Sequence, residues 1–292
     1  MPQPPAPAAS LLDDLVPGAL AGVRLVVSDL DGTLLAPDRT LPAGTGKLVE
    51  ELRDAGITFV PASGRAHASQ AELFVDVPFI ETFIADNGAV VVHRGESRAT
   101  GTLAPELVHE LVTSVREHAR AGGRRATAVV CGVGQAWAEV DGELWVEALN
   151  YHPTLTRVAR LEDVTDPVIK VAILDLESTE AVDRDVLRSF ATRAQVTRSG
   201  AHWADATALG VTKGQALRDL QAHLGVGPDD TVVFGDHLND LEMFGEAGHS
   251  FAVAHAQPEI LDAARYRLPD VVDPVQVALR RILADVTRSP AS

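Results

Sequence analysis

The sequence predicts an α/β protein: a doubly wound parallel-sheet core with an α+β cap domain inserted into it. Three observations carry that prediction. Towards both ends of the chain, short apolar runs alternate with longer helix-like segments, the pattern of a parallel sheet covered by helices on both faces. Several of those runs stop at acidic, small or polar residues, such as Val23-Arg-Leu-Val-Val-Ser28 before Asp29 and Thr231-Val-Val-Phe-Gly-Asp236. Between them lies a long stretch of mixed pattern that lacks acidic strand ends.

In chain order, residues 1–22 are proline-rich and acidic at Asp13 and Asp14, and read as a mostly flexible tail or short leading helix. Core residues then run over 23–89. Val23–Ser28 is a buried-strand candidate, and residues 41–55 form a helix with Leu48, Leu52 and Ala55 on one face and Gly56 closing it. Ile57–Val60 is a second strand, leading to Ser63, which is suited to cap a helix beginning near Arg65. Phe79–Ile84 is a third strand. The cap covers 90–207, with strands at 89–93, 126–133, 135–140 and 168–175 and helices near 103–121 and 178–192. The core resumes over 208–286 with an amphipathic helix carrying Ala216, Leu217, Leu220 and Leu224 on one side. Residues 287–292 read as a frayed tail.

Composition narrows the function. The 292 residues carry 41 acids against 25 basic residues, a net charge of −16. Such a surface repels a nucleic-acid backbone or an anionic membrane, so neither is expected as a partner. The single cysteine, Cys131, forms no intramolecular disulfide and reads as a small hydrophobe in an apolar strand. No apolar stretch reaches bilayer-spanning length and the N-terminus lacks the pattern of a signal peptide, so a cytoplasmic protein is expected.

The chemistry gathers at the strand ends. In open parallel α/β sheets the ligand site lies beyond the carboxyl ends of the strands, so Asp29, Asp31, Asp236 and Asp240 are expected in one small space. Four crowded carboxylates need a neutralising cation, and an all-oxygen set suits Mg²⁺. Thr33 and Ser63 offer hydroxyls, while Gly32, Gly64 and Gly88 let backbone N–H groups approach an anion. Lys213, one of three lysines beside twenty-two arginines, adds a positive charge at a helix start. These parts suit phosphoryl transfer.

The set resembles the haloacid dehalogenase superfamily of aspartate-nucleophile phosphatases, and within it the Cof-type group with a large inserted cap (subfamily IIB). The resemblance runs from about residue 23 to 285. It rests on Asp29-Leu-Asp-Gly-Thr-Leu-Leu35, Ala62-Ser-Gly-Arg65, Asp86-Asn-Gly-Ala89, Val211-Thr-Lys-Gly214 and Gly235-Asp-His-Leu-Asn-Asp-Leu-Glu-Met243, in that order. It implies a Rossmann-like core and a set of roles. Asp29 is the expected nucleophile and Asp31 the general acid and base. Lys213 completes the catalytic set. Asp29, the Asp31 backbone carbonyl, Asp236 and Asp240 are the expected Mg²⁺ ligands. Gly32, Thr33, Ser63, Gly64, Arg65, Asn87 and Asn239 are expected to contact the phosphate or the rest of the substrate.

The implied activity is Mg²⁺-dependent hydrolysis of a small phosphorylated metabolite, a sugar phosphate or a phosphorylated cofactor, by a monomer or dimer. A phosphotransferase or mutase on the same scaffold is the alternative, followed by a non-catalytic binding protein with a relic site. Two departures from the family pattern, His237 directly after Asp236 and His255 in Val253-Ala-His-Ala256, are expected to alter substrate contacts rather than the chemistry.

Overall fold

The computed structural model describes residues 10–198 and 201–288, and the chain divides into two units. The first comprises residues up to Ser63, Leu73–Ile84 and Thr212 onwards; the second comprises Gly64–Glu72 and Ala85–Val211.

The first unit is built on a six-stranded parallel sheet. Its order is Ser10–Leu11, Tyr266–Arg267, His249–Ala252, Thr231–Gly235, Leu25–Ser28 and Thr58–Pro61. Every residue of Leu25–Ser28 and of Thr231–Gly235 is buried, which explains why both are apolar except for Ser28 and Thr231 at their ends. Helices Thr45–Asp54 and Pro274–Arg288 pack against each other, and Gln276 Nε2 joins them by donating to Thr45 Oγ1 at 3.1 Å. Strand Thr82–Ala85 meets this sheet through a single bridge between Ile84 and Ala62, and the Ser63 amide donates to the Ile84 carbonyl at 3.0 Å.

Residues 10–22, expected as a flexible tail, are instead packed. Ser10–Leu11 extends the sheet as an edge strand, and Leu12, Leu15 and Leu20 are buried. The Leu20 amide donates to Asp285 and Arg281 donates to the Leu15 carbonyl at 2.9 Å. Apolar residues at 12, 15 and 20 outweigh the local proline content, because burying each adds hydrophobic stabilisation that a free tail forgoes. Residues 1–9 and 289–292 of the two expected tails lie outside the described residues.

The second unit centres on a six-stranded sheet ordered Ala194–Arg198, Trp203–Ala208, Lys170–Asp175, Ala126–Cys131, Ala136–Ala138 and Leu155–Arg157. All neighbours are antiparallel except the last pair. One face, with Ala128, Val130, Val171, Ile173, Ala204 and Ala206, packs against helices Pro105–Gly122 and Thr179–Asp185. The alternate residues, on the opposite face, include Cys131, Lys170, Trp203 and Asp205, all buried. Burial pushes the Cys131 thiol up to about 12, so it stays a neutral hydrophobe.

Strand Trp203–Ala208, absent from the sequence expectation, contains three Ala and one Asp, residues of low strand propensity; pairing on both edges overrides that preference. The helix after Ser63 spans His67–Leu73 and starts too far along the chain for Ser63 to cap it. No described helix is long and apolar enough to cross a membrane.

His152 in this unit is 5% exposed, and burial, reinforced by the Lys170 charge, pushes its imidazole down from 6.5 to about 3. Between those values the unfolded chain binds a proton that the folded chain refuses, so stability falls as pH drops below 6.5. The expected slope is about 1.4 kcal/mol per pH unit. Urea midpoints taken from neutral pH down to pH about 5 should show this slope flattened in His152→Gln. Parallel curves for the two proteins would exclude His152 as its source.

Candidate active site

Asp29 directly follows Leu25–Ser28, and Asp236 directly follows Thr231–Gly235, two neighbouring parallel strands in which Ser28 pairs with Phe234. The register therefore delivers both carboxylates to the same end of the sheet. On the other side Ser28 pairs with Pro61, so the chain continues through Ala62 to a buried Ser63. This is the crevice beyond the strand ends at which ligands bind in doubly wound folds.

Asp29, Asp236 and Asp240 bring carboxylate oxygens within 4.8 Å of one another. The Lys213 ammonium sits among them, 2.5 Å from Asp29 Oδ1 and 2.7 Å from Asp240 Oδ1, fully excluded from solvent. Thr212 caps the helix that Lys213 begins, its hydroxyl accepting from the Gln215 amide at 3.1 Å. Gly214 lets that helix press against the next one: a Cβ there would lie 2.6 Å from the Glu242 backbone. Asp240 is held in turn by the Asp236 and His237 amides, which donate to its Oδ2 at 3.0 and 3.1 Å.

The loop after Asp29 is a single wide turn over Leu30–Leu34, closed by the Leu35 amide donating to the Leu30 carbonyl at 2.9 Å. Gly32 has φ +90°, and a Cβ there would lie 2.5 Å from the Asp236 carboxylate, so conformation and space both demand glycine. Thr33 donates its hydroxyl to Asp236 Oδ1 at 2.8 Å. His255 Nε2 donates to the Gly32 carbonyl at 2.8 Å, so this departure from the family pattern braces the loop that bears Asp29 and Asp31.

Of the four expected carboxylates, three form the cluster, with Asp29 and Asp240 buried and Asp236 half-buried. The Asp31 side chain lies outside it and is exposed. Asn239 is half-buried on the single turn Leu238–Asp240. Gly64, Arg65 and Asn87 belong to the second unit, where Asn87 is buried and Gly64 and Arg65 are half-buried. One cluster escaped the sequence reading: Lys170, buried with Asp86 and Asp205. Its visible signal was a lysine inside the apolar run Val168–Leu174.

The electrostatics are those of a site short of positive charge. Burial raises the Asp29 carboxyl well above its usual range; Lys213 opposes this, while Asp240 and Asp236 reinforce it. Burial raises Asp236 as well. Although burial pulls the other way, Asp240 and Asp29 hold the Lys213 ammonium above its usual range, so it stays charged. Asp29 Oδ2 is buried without a hydrogen-bond partner. An unpartnered carboxylate oxygen facing two further carboxylates is a donor set of hard oxygens, and it fits a divalent cation such as Mg²⁺.

Known proteins share this architecture. The chain is 28% identical to the Escherichia coli K12 protein named 5-amino-6-(5-phospho-D-ribitylamino)uracil phosphatase YbjI, over 84% of its own length and 90% of that protein's. It is 26% identical to an HMP-PP phosphatase of Escherichia coli O6:H1, over 81% and 86% of the two chains. A crystal structure from Eubacterium rectale superposes with a TM-score of 0.78 at 26% identity, covering 89% of this chain and 98% of that one. The haloacid dehalogenase-like hydrolase family matches residues 26–273, which include all five motifs. The chain belongs to the haloacid dehalogenase-like hydrolase family.

Proposed function

We propose that this protein is a Mg²⁺-dependent phosphatase that hydrolyses a small phosphorylated metabolite through an aspartyl-phosphate on Asp29. The observation that carries the proposal is the Asp29 carboxylate, anchored through Oδ1 to Lys213 and leaving Oδ2 buried and unpartnered beside Asp236 and Asp240. A carboxylate so held has one oxygen oriented for attack, and its orientation is set before substrate arrives.

In this reading Asp29 attacks phosphorus, and the bond from phosphorus to the leaving oxygen breaks. Asp31 gives its proton to the departing alkoxide. Asp31 then takes a proton from water, which attacks phosphorus and releases phosphate, restoring the Asp29 carboxylate. The exposure of Asp31 suits a group that exchanges protons with solvent and substrate. Lys213 and the amides and hydroxyls of Gly32, Thr33, Ser63, Gly64 and Asn239 bind phosphoryl oxygens, with Arg65 and Asn87 reserved for substrate. Asp29, the Asp31 carbonyl, Asp236 and Asp240 would hold Mg²⁺, which would supply charge neutralisation for the transferring phosphoryl group. Residues 90–207 act as the cap that selects the leaving group. The two relatives' names, one specifying a phosphorylated ribitylaminouracil and the other HMP-PP, favour a phosphorylated cofactor or sugar derivative as substrate.

The test is release of phosphate from p-nitrophenyl phosphate by EDTA-treated protein with and without added Mg²⁺. Activity is expected only with Mg²⁺. Absence of turnover together with failure to bind beryllofluoride in the presence of Mg²⁺ would remove the catalytic reading.

A further inference from the structure

Among the described residues of the second unit, the most unusual backbone is at Asp86-Asn87-Gly88. All three have positive φ, at 51°, 56° and 95°. Only Gly88 adopts that conformation without cost; two consecutive left-handed non-glycine residues persist only where the surroundings enforce them. What surrounds them is a buried ionic cluster. Lys170 Nζ lies 2.6 Å from Asp86 Oδ1 and 3.7 Å from Asp205 Oδ1, and Asn87 Nδ2 lies 3.4 Å from Asp205 Oδ2. Lys170 and Asp205 are each 3% exposed and Asp86 is 6% exposed. Thr100 secures the far end by donating its hydroxyl to the Gly88 carbonyl at 2.6 Å.

A buried ammonium with two carboxylates is weak as a source of stability, because desolvation offsets the attraction. It is strong as a source of geometry, since each charge has one acceptable place. The turn it holds is coupled to the Gly64-Arg65 backbone. The Asp86 amide donates to the Arg65 carbonyl at 3.0 Å, and the Asn87 side chain lies so close to Gly64 that a Cβ there would sit 3.1 Å from its amide. Gln70 Nε2 donates to the same Arg65 carbonyl at 3.0 Å.

We infer that Lys170 is a positioning residue: through Asp86 and Asp205 it fixes the left-handed 86–88 turn, and that turn fixes the Gly64-Arg65 backbone for phosphoryl binding. The effect on turnover rests on the phosphatase reading; the effect on the loop rests on the geometry alone.

The experiment compares wild type with the triple variant Lys170→Met, Asp86→Asn, Asp205→Asn, which removes the three charges together and leaves none unpaired. Hydrogen exchange by mass spectrometry should accelerate about tenfold in peptides covering 62–66 and 85–89, while the strands at 126–131 and 170–175 keep wild-type protection. With p-nitrophenyl phosphate and Mg²⁺, kcat/KM should fall about a hundredfold, the size of effect seen when an oriented donor to a developing anion is lost. Wild-type exchange at 62–66 overturns the inference. So does acceleration spread evenly over the whole second unit, which assigns the cluster a structural role only. If the triple variant does not fold, Asp205→Asn alone, with Lys170 still paired to Asp86, is read by the same exchange criterion. Should wild type release no phosphate, the phosphatase reading fails by itself, and loop exchange still decides the role of Lys170.

Discussion

Replacing Asp29 with Asn should reduce phosphate release by at least about 10⁴-fold while leaving the protein folded and no less stable. The loss follows from chemistry: the amide oxygen of Asn is a poor nucleophile and forms no acyl phosphate that water can open. The retained stability follows from the surroundings of Asp29. Burial raises its carboxyl well above the usual range, so the stability linked to its protonated form is present at acid pH and is lost as pH rises through that raised value. Burial penalises the ionised form of Asp29 in the absence of a cation, and an Asn side chain, which carries no charge, avoids that penalty. Its Oδ1 can still accept from Lys213, which keeps Asp240 as its ionic partner at 2.7 Å. Two measurements settle the matter: a steady-state assay and thermal melts with and without Mg²⁺. Wild type should gain Tm on adding Mg²⁺ and the Asn variant should gain much less. A variant that keeps measurable covalent turnover would show that another residue attacks phosphorus.

The parts of this site that were legible in the sequence are those set by local rules. Asp29 and Asp236 end buried strands, Lys213 opens a helix behind a Thr cap, and Gly32 sits where the chain must turn with positive φ. Each is a strand end, a helix start or a turn, and each has a residue signature within a few positions. The convergence of Asp29, Asp236 and Asp240 then follows from parallel topology alone. What stayed hidden depends on long-range packing. Asp86 and Lys170 are 84 residues apart, and nothing near either one announces the other. That the Asp31 side chain lies outside the carboxylate cluster was not legible from spacing, which places a residue in a loop without orienting its side chain. Residues 10–22 read as a mostly flexible tail or short leading helix, yet Leu12, Leu15 and Leu20 are buried and the segment is hydrogen-bonded to Arg281 and Asp285 of a helix at the other end of the chain. His255 was conspicuous only as a departure from a pattern; its bond to Gly32 crosses 223 positions.

Lys213→Met should be the most destabilising single change at the site, because it removes the cation from between two carboxylates that have almost no access to water. Asp240 is fully buried and the Asp29 side chain is 8% exposed, so neither recovers by hydration what it loses in attraction. Breaking a buried pair in this way costs about 3–5 kcal/mol. The charge, not the volume, is at issue, since Met preserves most of the buried stem. Two consequences separate this account from a simple packing defect. First, the deficit relative to wild type should shrink as pH falls, because Asp29, whose ionised form loses its ammonium partner, is protonated more readily in the variant. A packing defect has no such dependence. Second, Asp29→Asn introduced into Lys213→Met should restore part of the lost stability, because of the two carboxylates that faced Lys213 only Asp240 then remains, and it still accepts from the Asp236 and His237 amides. The coupling in that double-mutant cycle should amount to about 1–3 kcal/mol. Additive effects in the cycle, with a deficit independent of pH, would mean that Lys213 contributes by filling space and that the charge balance of the cluster is set elsewhere.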